Sequence, residues 1–566
     1  MASHWPLRSF QRLFTVSLFF LCAALTFLAL SFRPKPTHYY TRLLQAQANP
    51  NSHGSTWFDL VSKMVDTQKV KIGLVNVDDD DIKSIYYDTY YGSLAETVFV
   101  DFEPVSKDKI WEDFFPEWID EDHKWGIPRC PEIPMPRLED YVGLDVIVAR
   151  VPCGGGGEEG KKKKGIRDVW RLQVNLVVAN LAVANGWVQN PAAEYTERTM
   201  YVVFMGSCGA MQEIFRCDDL LTHVGDYWVY KPELRKLKQK VLMPVGSCQI
   251  APPYAEKGQE IWKQILSKQT SRLNHITFQR VAYVTVLHSS EAYVCGAIAL
   301  AQSIIQTKST KELVLLHDSS ITAKSLQGLR AAGWKARLIE PIRSPSARKG
   351  SYNEWNYSKL RIWQLIDYDK VIFIDADVIV LRNLDKFFLY PQLSASANDK
   401  VLFNSGIMVV EPSMCTFEDL MSKTTKLASY NGGDQGFLNE AFTWWHRLPS
   451  KLNHLKVFQR KGDPNHEIPE DLYAIHLLGW KPWMCYRDYD CNWDMVVRHI
   501  FASDSAHRRW WQIYDAMPKK LQKFCGLTRQ MDERMRKWRS IAKKEGLPDG
   551  HWKIKATDPR RHHLIS

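Results

Sequence analysis

A chain of 566 residues is too long for a single hydrophobic core, so its length predicts at least two folded domains. Hydrophobic residues make up 45% of the sequence and charged residues 24%, which excludes a disordered or fibrous chain. The formal net charge of +11 favours anionic ligands, but the basic residues are spread among acidic ones, and nucleic acid is the least favoured partner.

An uncharged apolar segment, residues 13–32, follows a short basic tail, residues 1–12. As a helix this segment would span about 30 Å, the apolar thickness of a bilayer. A cleaved signal peptide with a cleavage site near Ala29-Leu30-Ser31 is the alternative, but the apolar run is longer than the usual core of such a peptide. We therefore expect a transmembrane signal anchor, with a cytosolic tail and the rest of the chain in a lumen.

Residues 33–69 contain several prolines among polar side chains, which is typical of a stem. From residue 70 to about 255 the sequence predicts an accessory α/β region, with buried strands at 71–77, 145–151 and 199–206 and a helix at 169–185. The run of four aspartates at 78–81 is typical of a solvated turn, and we assign it no chemistry. No catalytic constellation is evident, so the role of this region is left open.

The eleven cysteines have no zinc-site spacing, and Cys485 and Cys491 are neighbours without a second pair to complete a metal site. In an oxidising compartment some of them would form disulfides, but their pairing does not follow from the sequence. The sequon at Asn356 lies so close to candidate site residues that we do not expect it to be glycosylated.

The second half, residues 276–566, alternates predicted strands and helices after a charged helical segment at 256–268. A strand at 280–287 leads through a polar turn into a helix, and a second strand follows at 312–317. This alternation predicts a mostly parallel, doubly wound sheet, in which ligands bind at the carboxyl ends of the strands.

The apolar run at 371–381 is interrupted only by Asp375-Ala376-Asp377. Such a run predicts a strand buried on both faces, with the two carboxylates where it leaves the sheet. Because side chains alternate along a strand, Asp375 and Asp377 should point to the same side. An isolated pair of this kind is more often a pair of solvated aspartates, but two close carboxylates also suit a divalent cation such as manganese or magnesium.

Four further stretches favour the metal site over solvated aspartates. They are a predicted helix at 356–365 with Lys359 and Arg361, a polar turn Asn404-Ser405-Gly406 before a strand, a glycine turn leading Asp434 and Gln435 into a helix start, and the segment 476–483 with His476, Gly479 and Lys481.

Together these stretches resemble glycosyltransferase family 8, the glycogenin-like retaining enzymes with a GT-A fold, and within it the plant xylan α-glucuronosyltransferases. The resemblance covers residues from about 280 to the end closely and the first half only by general layout. It rests on the motifs NYSKLRIWQL, FIDADVIVLRN, NSGIMVVEPS, YNGGDQGFLNE, WWHRLP, HLLGWKPWMCYRDYDCN and KATDPRR.

The resemblance implies that Asp375, Asp377 and His476 hold manganese and leave positions open for the phosphates of a UDP-sugar. Lys359 and Asp434 are the implied catalytic residues, with Lys359 over the sugar and phosphate and Asp434 beside the anomeric carbon. The full set of implied UDP-sugar contacts is Asp375, Ala376, Asp377, Asn404, Ser405, Gly406, Asn431, Gly432, Gly433, Asp434, Gln435, His476, Leu477, Leu478, Gly479, Trp480 and Lys481.

The implied reaction is retaining transfer of glucuronate from UDP-glucuronate to xylan during plant cell-wall synthesis, in a single-pass type II Golgi membrane protein with a lumenal catalytic domain. Front-face attack is favoured over a covalent adduct on Asp434, because the family offers no well-placed nucleophile. A cation should face the glucuronate carboxylate, and the candidates are Arg361, Lys359, Arg343 and Arg487. Aromatic rings that either stack on the acceptor or pack in the core are Trp444, Trp445, Trp480, Trp483, Trp493, Trp510 and Trp511.

Three other functions stay open on sequence grounds. The same scaffold would serve a glucosyltransferase that uses UDP-glucose to prime starch-type polymers, a non-catalytic partner subunit, or a metal-dependent phosphohydrolase. For the transferase we expect Asp377→Ala to abolish activity while changing stability little, because repulsion within the acidic pair would be relieved.

Overall fold

The computed structural model describes residues 57–65, 69–88, 95–114, 132–153, 167–189, 195–242, 280–399, 401–458 and 466–564. All of them belong to one compact unit, Trp57–Ser566. The expected anchor, the cytosolic tail, most of the stem and the helical segment at 256–268 lie outside the described residues. Within the described ranges, no helix combines the length and the apolar character needed to cross a bilayer.

The first α/β region is built on a six-stranded sheet with the order β2-β1-β3-β6-β8-β7 and a separate hairpin of β4 and β5. Its strands are β1 (Val70–Val75), β2 (Ala95–Phe99), β3 (Val146–Arg150), β4 (Trp187–Gln189), β5 (Tyr195–Glu197), β6 (Tyr201–Met205), β7 (Leu220–Val224) and β8 (Tyr227–Tyr230). Strands β2, β1, β3 and β6 are parallel, and β8 and β7 continue the sheet in antiparallel order. The three strands predicted from apolar runs are therefore confirmed as β1, β3 and β6.

Four α-helices accompany this sheet in the described residues: α1 (Trp57–Ser62), α2 (Asp79–Asp88), α3 (Val169–Gly186) and α4 (Leu234–Leu242). Helix α3 confirms the predicted helix and is buried along most of its length, because it is apolar nearly all round. Helix α1 changes the boundary of the predicted stem. Trp57, Phe58 and Val61 are buried in one cluster with residues of β1, so residues 57–62 belong to the folded region.

The aspartate run at 78–81 is solvated at Asp78, Asp79 and Asp80, as the sequence predicted, but it begins a helix and does not form a simple turn. Asp78 caps the start of α2 by accepting hydrogen bonds from the backbone of Asp80 and Asp81. Asp81 is only 2% exposed and forms an ion pair with Arg150. The run is therefore structural, and its acidic residues serve the first turn of a helix.

The second region contains a seven-stranded sheet with the order β11-β10-β9-β12-β15-β14-β16. These strands are β9 (Val281–Leu287), β10 (Glu312–His317), β11 (Lys335–Leu338), β12 (Lys370–Ile374), β14 (Ser394–Ala397), β15 (Phe403–Val410) and β16 (His446–Arg447). The four strands from β11 to β12 are parallel, and β15 reverses the direction. The predicted mostly parallel, doubly wound sheet is confirmed. Strands β10 and β12 flank β9 on opposite sides, so the order in which the chain adds strands reverses at β9. In sheets of this kind a ligand crevice forms at such a reversal, here at the carboxyl ends of β9 and β12.

The α-helices of the second region are α5 (Val294–Gln306), α6 (Ala323–Ala331), α7 (Met414–Lys423), α8 (Asp434–Ala441), α9 (Asp504–Ala516), α10 (Lys519–Gln522) and α11 (Arg529–Glu545). The helix predicted at 356–365 forms instead as a 3-10 helix, Asn356–Gln364. Tyr357, Leu360 and Trp363, three residues apart, are all fully buried, and 3-10 winding puts such residues on one face.

The polar turn predicted at 404–406 is part of a strand. Residues Asn404, Ser405 and Gly406 lie inside β15, and the Gly406 carbonyl accepts a hydrogen bond of 2.8 Å from the Asp375 amide. The neighbouring strands pair with Phe403 and with Ile407 to Val410, on either side of this stretch, and so keep these small polar residues extended, against their turn-forming tendency.

A three-stranded sheet, β13-β18-β17, stands beside the end of β12. It consists of β13 (Val378–Val380), β17 (His454–Leu455) and β18 (Ala474–His476). The predicted single strand at 371–381 is thus two strands, β12 and β13, which belong to different sheets and are joined by Asp375-Ala376-Asp377. Antiparallel pairing of β13 with β18 sets Val378 opposite His476. This pairing brings the histidine to the aspartates.

Candidate active site

An open cleft of about 1000 Å³ lies at the carboxyl ends of β9 and β12. Its volume is at the upper end of the range for ligand pockets, about 300–1,000 Å³. Most of the residues named from the sequence line it: Lys359, Asp375, Ala376, Asp377, Asn404, Ser405, Asn431, Asp434, Gln435, His476, Leu478, Gly479, Trp480 and Lys481.

Asp375, Asp377 and His476 form one cluster at the floor of this cleft. One potential ligand atom from each lies within 4.8 Å of the others, and the imidazole Nε2 is 3.4 Å from Asp377 Oδ1. Two carboxylates and an imidazole are a donor set that suits manganese and similar divalent cations. The Nε2 of His476 is the nitrogen that faces Asp377, and the buried Nδ1 has no hydrogen-bond partner among the described residues. The residues present therefore fit a divalent cation.

A second group, Cys485, Asp490 and Cys491, has similar proximity but a different role. Cys485 and Cys491 are joined in a disulfide, and the Asp490 carboxylate pairs with Lys456 at 2.7 Å. Its donors are therefore occupied, in agreement with the sequence expectation that this pair makes no metal site.

The two aspartates of the cleft have opposite electrostatic environments. Burial, together with the nearby Asp377 charge, raises the pKa of Asp375, although Lys359 opposes the shift. For Asp377, burial also acts to raise the pKa, but Lys481 and His476 outweigh it and hold the pKa well below its usual range. The Lys481 ammonium lies 2.7 Å from Asp377 Oδ2 and also donates to the Leu477 carbonyl. Asp377 is therefore the firmly ionised member of the pair.

Lys359 connects the cluster of Asp375, Asp377 and His476 to Asp434. Its ammonium group lies 2.5 Å from Asp434 Oδ2, 3.1 Å from Asp375 Oδ1 and 3.2 Å from the Ser405 carbonyl. Burial disfavours the charged lysine, but the two carboxylates more than offset this and raise the pKa of Lys359. The same Asp434 oxygen accepts a hydrogen bond of 2.8 Å from the Ser405 hydroxyl. Its orientation is therefore set from two sides.

The loop that carries Gly479, Trp480 and Lys481 is held by Asn492. The Asn492 side chain accepts from the Trp480 amide and donates to the Trp480 carbonyl, both at 2.9 Å. Gly479 has a φ of +79°, and a Cβ there would lie 2.5 Å from Asn492 Oδ1. Only glycine accommodates both the left-handed backbone and this close approach.

Four residues implied by the resemblance do not line the cleft, namely Gly406, Gly432, Gly433 and Leu477. Gly406 lies beneath the His476 ring, and Gly433 precedes α8 as its N-cap residue. The Gly432 carbonyl accepts a hydrogen bond from the Ser344 hydroxyl, and Leu477 is fully buried. They lie in the elements that shape the site.

The structure excludes most of the predicted carboxylate-binding cations and stacking rings from the cleft. Arg343 pairs with Glu354, Arg487 pairs with Asp515, and Arg361 bonds Gln364, and none of these three arginines lines the cleft. Among the seven tryptophans only Trp480 lines the cleft without being buried. The six buried ones, at 6% exposure or less, are Trp444, Trp445, Trp483, Trp493, Trp510 and Trp511.

Several lining residues were missed from the sequence: His288, Tyr293, Tyr352 and Arg498. Burial lowers the pKa of His288. Burial and the Asp377 charge raise the pKa of the Tyr293 and Tyr352 hydroxyls, although the Tyr352 side chain as a whole is 74% exposed. The hydroxyl of Tyr352 therefore points inward while its ring faces solvent. The turn at 288–291 after β9 was a usable signal for His288, but the other three had none.

Comparisons with known proteins cover both halves of the chain. Residues 46–248 match the family model described as GUX1-5 N-terminal domain, and residues 284–392 match glycosyl transferase family 8. UDP-glucuronate:xylan alpha-glucuronosyltransferase 2 of Arabidopsis thaliana is 50% identical over 87% of this chain and 81% of its own length. The Arabidopsis thaliana protein numbered 5 in this series is 55% identical over 90% of this chain and 89% of its own length. The protein numbered 4 is 53% identical over 92% of this chain and 90% of its own length. Neither name asserts the activity.

Among solved structures, the galactosyltransferase LgtC in complex with donor and acceptor sugar analogues shares 16% identity with this chain. The alignment covers 43% of this chain and 99% of that chain, with a TM-score of 0.32. The family assignment does not depend on this likeness.

Proposed function

The chain belongs to the family of UDP-glucuronate:xylan alpha-glucuronosyltransferases, and on this basis we propose that it transfers glucuronate from UDP-glucuronate to the xylan backbone with retention of configuration. The observation that carries the proposal is the meeting of Asp375, Asp377 and His476 in a large cleft that Lys359 and Lys481 also line. Carboxylates and an imidazole for a cation, beside ammonium groups for phosphate, suit a nucleotide-sugar donor.

Asp375, Asp377 and His476 would hold the cation, and we propose manganese. When bound, such an ion supplies Lewis-acid stabilisation of the negative charge that builds on the departing diphosphate. Lys481 and the Gly479 backbone lie on the loop beside the cluster and are placed to bind the same diphosphate. A glycine with no Cβ lets the backbone approach a ligand closely.

Lys359 and Ser405 position Asp434 at the sugar side of the cleft. A carboxylate oxygen that accepts from an ammonium and a hydroxyl is a weaker nucleophile than a free one, because both donors stabilise its negative charge. We therefore propose front-face attack, in which Asp434 orients the donor sugar and the leaving phosphate oxygen takes the acceptor proton. Isolation of a covalent glucuronyl adduct on Asp434 would show that this assignment of roles is wrong.

We further propose that the protein acts in the Golgi lumen and is anchored by residues 13–32. Four disulfides among the described residues support an oxidising compartment: Cys153–Cys208, Cys217–Cys415, Cys295–Cys525 and Cys485–Cys491. Localisation of a fluorescent fusion, together with protease protection of the catalytic region in sealed vesicles, tests this proposal. Complete digestion of that region in intact vesicles would contradict it.

A donor and acceptor panel on the full-length chain tests the proposed reaction. UDP-glucuronate and UDP-glucose are each offered with xylan oligosaccharides, with and without manganese, and the anomeric configuration of the product is determined. We expect glucuronate transfer with retention that requires a divalent cation. Glucose transfer without glucuronate transfer would overturn the donor, and UDP-sugar breakdown that is undiminished without acceptor would indicate a phosphohydrolase.

A further inference from the structure

Three cations other than histidine line the cleft among the described residues, and two of them are already paired with the protein's own carboxylates. Lys359 lies against Asp375 and Asp434, and Lys481 lies against Asp377. Three carboxylates thus face two ammonium groups, so the lysines contribute no spare positive charge. The third cation is Arg498.

Arg498 differs from the lysines because its guanidinium has no ion pair or side-chain hydrogen bond within the described part of the chain. The guanidinium carbon of Arg498 lies over the face of Trp480, 5.8 Å from the ring centroid. The side chain is partly exposed and lines the cleft. An aromatic face beneath a guanidinium restrains its plane and leaves its edge, with its hydrogen-bond donors, free for a ligand.

The backbone that carries Arg498 is fixed by its neighbours. Arg498 lies in a 3-10 helix, Val496–Phe501, whose Ile500 carbonyl accepts a hydrogen bond of 2.7 Å from Phe458. Trp480 is held on the other side by Asn492 and by the Trp538 ring, whose centroid is 4.8 Å away. The guanidinium is therefore presented to the cleft by two anchored elements.

The other arginines considered for a carboxylate ligand do not line the cleft, and their side chains already have partners. Arg343 is bonded to Glu354, and Arg487 makes two hydrogen bonds to the Asp515 carboxylate. Arg361 donates to Gln364 and to the Glu340 carbonyl. Of the described cations that line the cleft, Arg498 alone has no acidic partner among the described residues.

We propose that Arg498 binds an anionic group of the nucleotide-sugar donor, in addition to the residues already placed at the metal cluster. This proposal rests on the proposed function, in which the donor carries negative charge at its diphosphate and at its uronate carboxylate. Both groups present paired oxygens that match the forked donors of a guanidinium. Arg498 is then a specificity-determining residue if it meets the carboxylate and a general donor-binding residue if it meets the diphosphate.

Binding measurements on the full-length chain test the proposal with Arg498→Gln, Arg498→Lys and the control Arg487→Gln. Arg487 is also partly exposed and stacked on a tryptophan, but it lies outside the cleft lining. UDP-glucuronate, UDP-glucose, UDP and uridine are titrated in the presence of manganese. We expect Arg498→Gln to weaken UDP-glucuronate binding by about 10- to 100-fold, because hydrogen bonds to a charged group are lost, and Arg487→Gln to leave it unchanged.

The ligand series separates the two anionic groups. If UDP-glucose and UDP binding are unchanged in Arg498→Gln, the partner is the uronate carboxylate. If all three diphosphates weaken alike, the partner is the diphosphate. Arg498→Lys should recover part of the affinity, since the charge is kept and the fork is lost.

Two results would overturn the proposal. One is UDP-glucuronate affinity in Arg498→Gln within about twofold of the wild type, because a lost charged contact should cost more. The other is an equal loss of uridine affinity, which would mean that Arg498 acts by supporting the nucleoside side of the cleft. A wild-type protein that binds and transfers glucose but not glucuronate would refute the proposed function. The binding of UDP-glucose and UDP to the wild type and to Arg498→Gln would still decide whether Arg498 binds the diphosphate.

Discussion

At the scale of single residues, the two aspartates of the candidate metal site have different roles. The expectation that removing Asp377 relieves repulsion and leaves stability unchanged does not fit the structure. Asp377 is the counter-ion of Lys481, and both side chains are about nine-tenths buried. Lys359 pairs with both Asp375 and Asp434, so the loss of Asp375 leaves Lys359 with Asp434 as its partner.

Comparison of Asp375→Asn with Asp377→Asn tests this difference. Each variant should reduce glucuronate transfer by more than about 100-fold. Loss of a residue that only hydrogen-bonds to a metal ligand already costs about 10- to 100-fold in metal affinity or activity, and loss of a ligand itself should cost more. In metal-free buffer, Asp377→Asn should lower the free energy of unfolding by about 3–5 kcal/mol, since Lys481 is left buried without its partner. Asp375→Asn should cost clearly less. Equal losses of stability in denaturant titrations would contradict this account.

Gly406 affects the site without facing any ligand. A Cβ at this position would lie 2.4 Å from Cε1 and 2.6 Å from Nδ1 of His476. Such contacts are shorter than van der Waals packing allows, so the ring must leave its present position beside the aspartates.

We expect Gly406→Ala to weaken manganese binding and transfer almost as much as His476→Ala does. The double variant should be no worse than His476→Ala alone, because the clash disappears with the ring. Manganese titrations and melting temperatures of the two single variants and the double variant measure this coupling. Losses that add within about 0.5 kcal/mol would mean that Gly406 does not act through His476.

At the scale of elements, the C-terminal segment supports the loop behind Lys481. Arg560, only 8% exposed, donates to the carbonyls of Trp483 at 3.0 Å, Cys485 at 2.5 Å and Cys525 at 3.0 Å. Its charge is balanced by Asp558 at 2.7 Å. One buried guanidinium thus joins the chain end to the segment that follows HLLGWK.

Arg560→Gln should therefore lower the free energy of unfolding by about 3–5 kcal/mol, because Asp558 remains buried without its partner. It should also raise the KM for UDP-glucuronate, since the loop proposed to bind the diphosphate loses its support. The matched control is Arg508→Gln, which changes an exposed arginine of α9 with no ion pair among the described residues. Chemical denaturation and steady-state kinetics give the two readouts. An unchanged KM in a destabilised Arg560→Gln protein would limit Arg560 to a structural role.

At the scale of the whole molecule, the two α/β regions are joined by a buried cluster of charges around Glu411. Glu411, 1% exposed, lies 3.4 Å from Arg216 of the first region and 3.5 Å from Lys370 of β12. It directly follows β15, the strand that carries Ser405 and Gly406. The first region therefore contacts one end of the strand whose other end forms the floor of the cleft. The disulfide Cys217–Cys415 joins the two regions near the same place.

The Glu411 cluster predicts an acid-dependent loss of stability. Burial alone would raise the pKa of Glu411, but Lys370, Arg216 and Lys240 together lower it from its ordinary value of 4.5 to about 2. The stabilisation is thus fully present above pH 4.5 and is lost as the pH falls towards 2. At neutral pH, Glu411→Gln should cost about 3–5 kcal/mol, because it leaves buried cations without their partner.

Unfolding free energies of the wild type and Glu411→Gln, measured from pH 7 down to pH 2, check this prediction. The difference between them should shrink across the window from 4.5 to 2. Glu418→Gln, which removes an exposed carboxylate from α7, is the control and should differ little from the wild type at any pH. A difference that is constant with pH would mean that the Glu411 charge contributes nothing.

Local sequence was sufficient to predict strands β1, β3, β6, β9, β10 and β12 and helix α3, whereas the family resemblance implied the three metal-binding candidates. Apolar runs and helical periodicity depend only on neighbouring residues, so β1, β3, β6 and α3 could be recognised without any tertiary information. Asp375, Asp377 and His476 stood out because the motifs around them carry their own chemistry. The first half had no such motif, and its relation to the same family became visible only by comparison.

The tertiary structure alone decided which charges are paired and which are free. Asp377 and Lys481 are 104 residues apart, and their contact exists because β13 pairs with β18. The same folding removed Arg343, Arg361 and Arg487 from the cleft and placed Arg498 in it. Sequence patterns report the periodicity of one segment and carry no information on the partner that a distant segment supplies. The physical reason is that electrostatic roles depend on distances in space, which only the packed sheets determine.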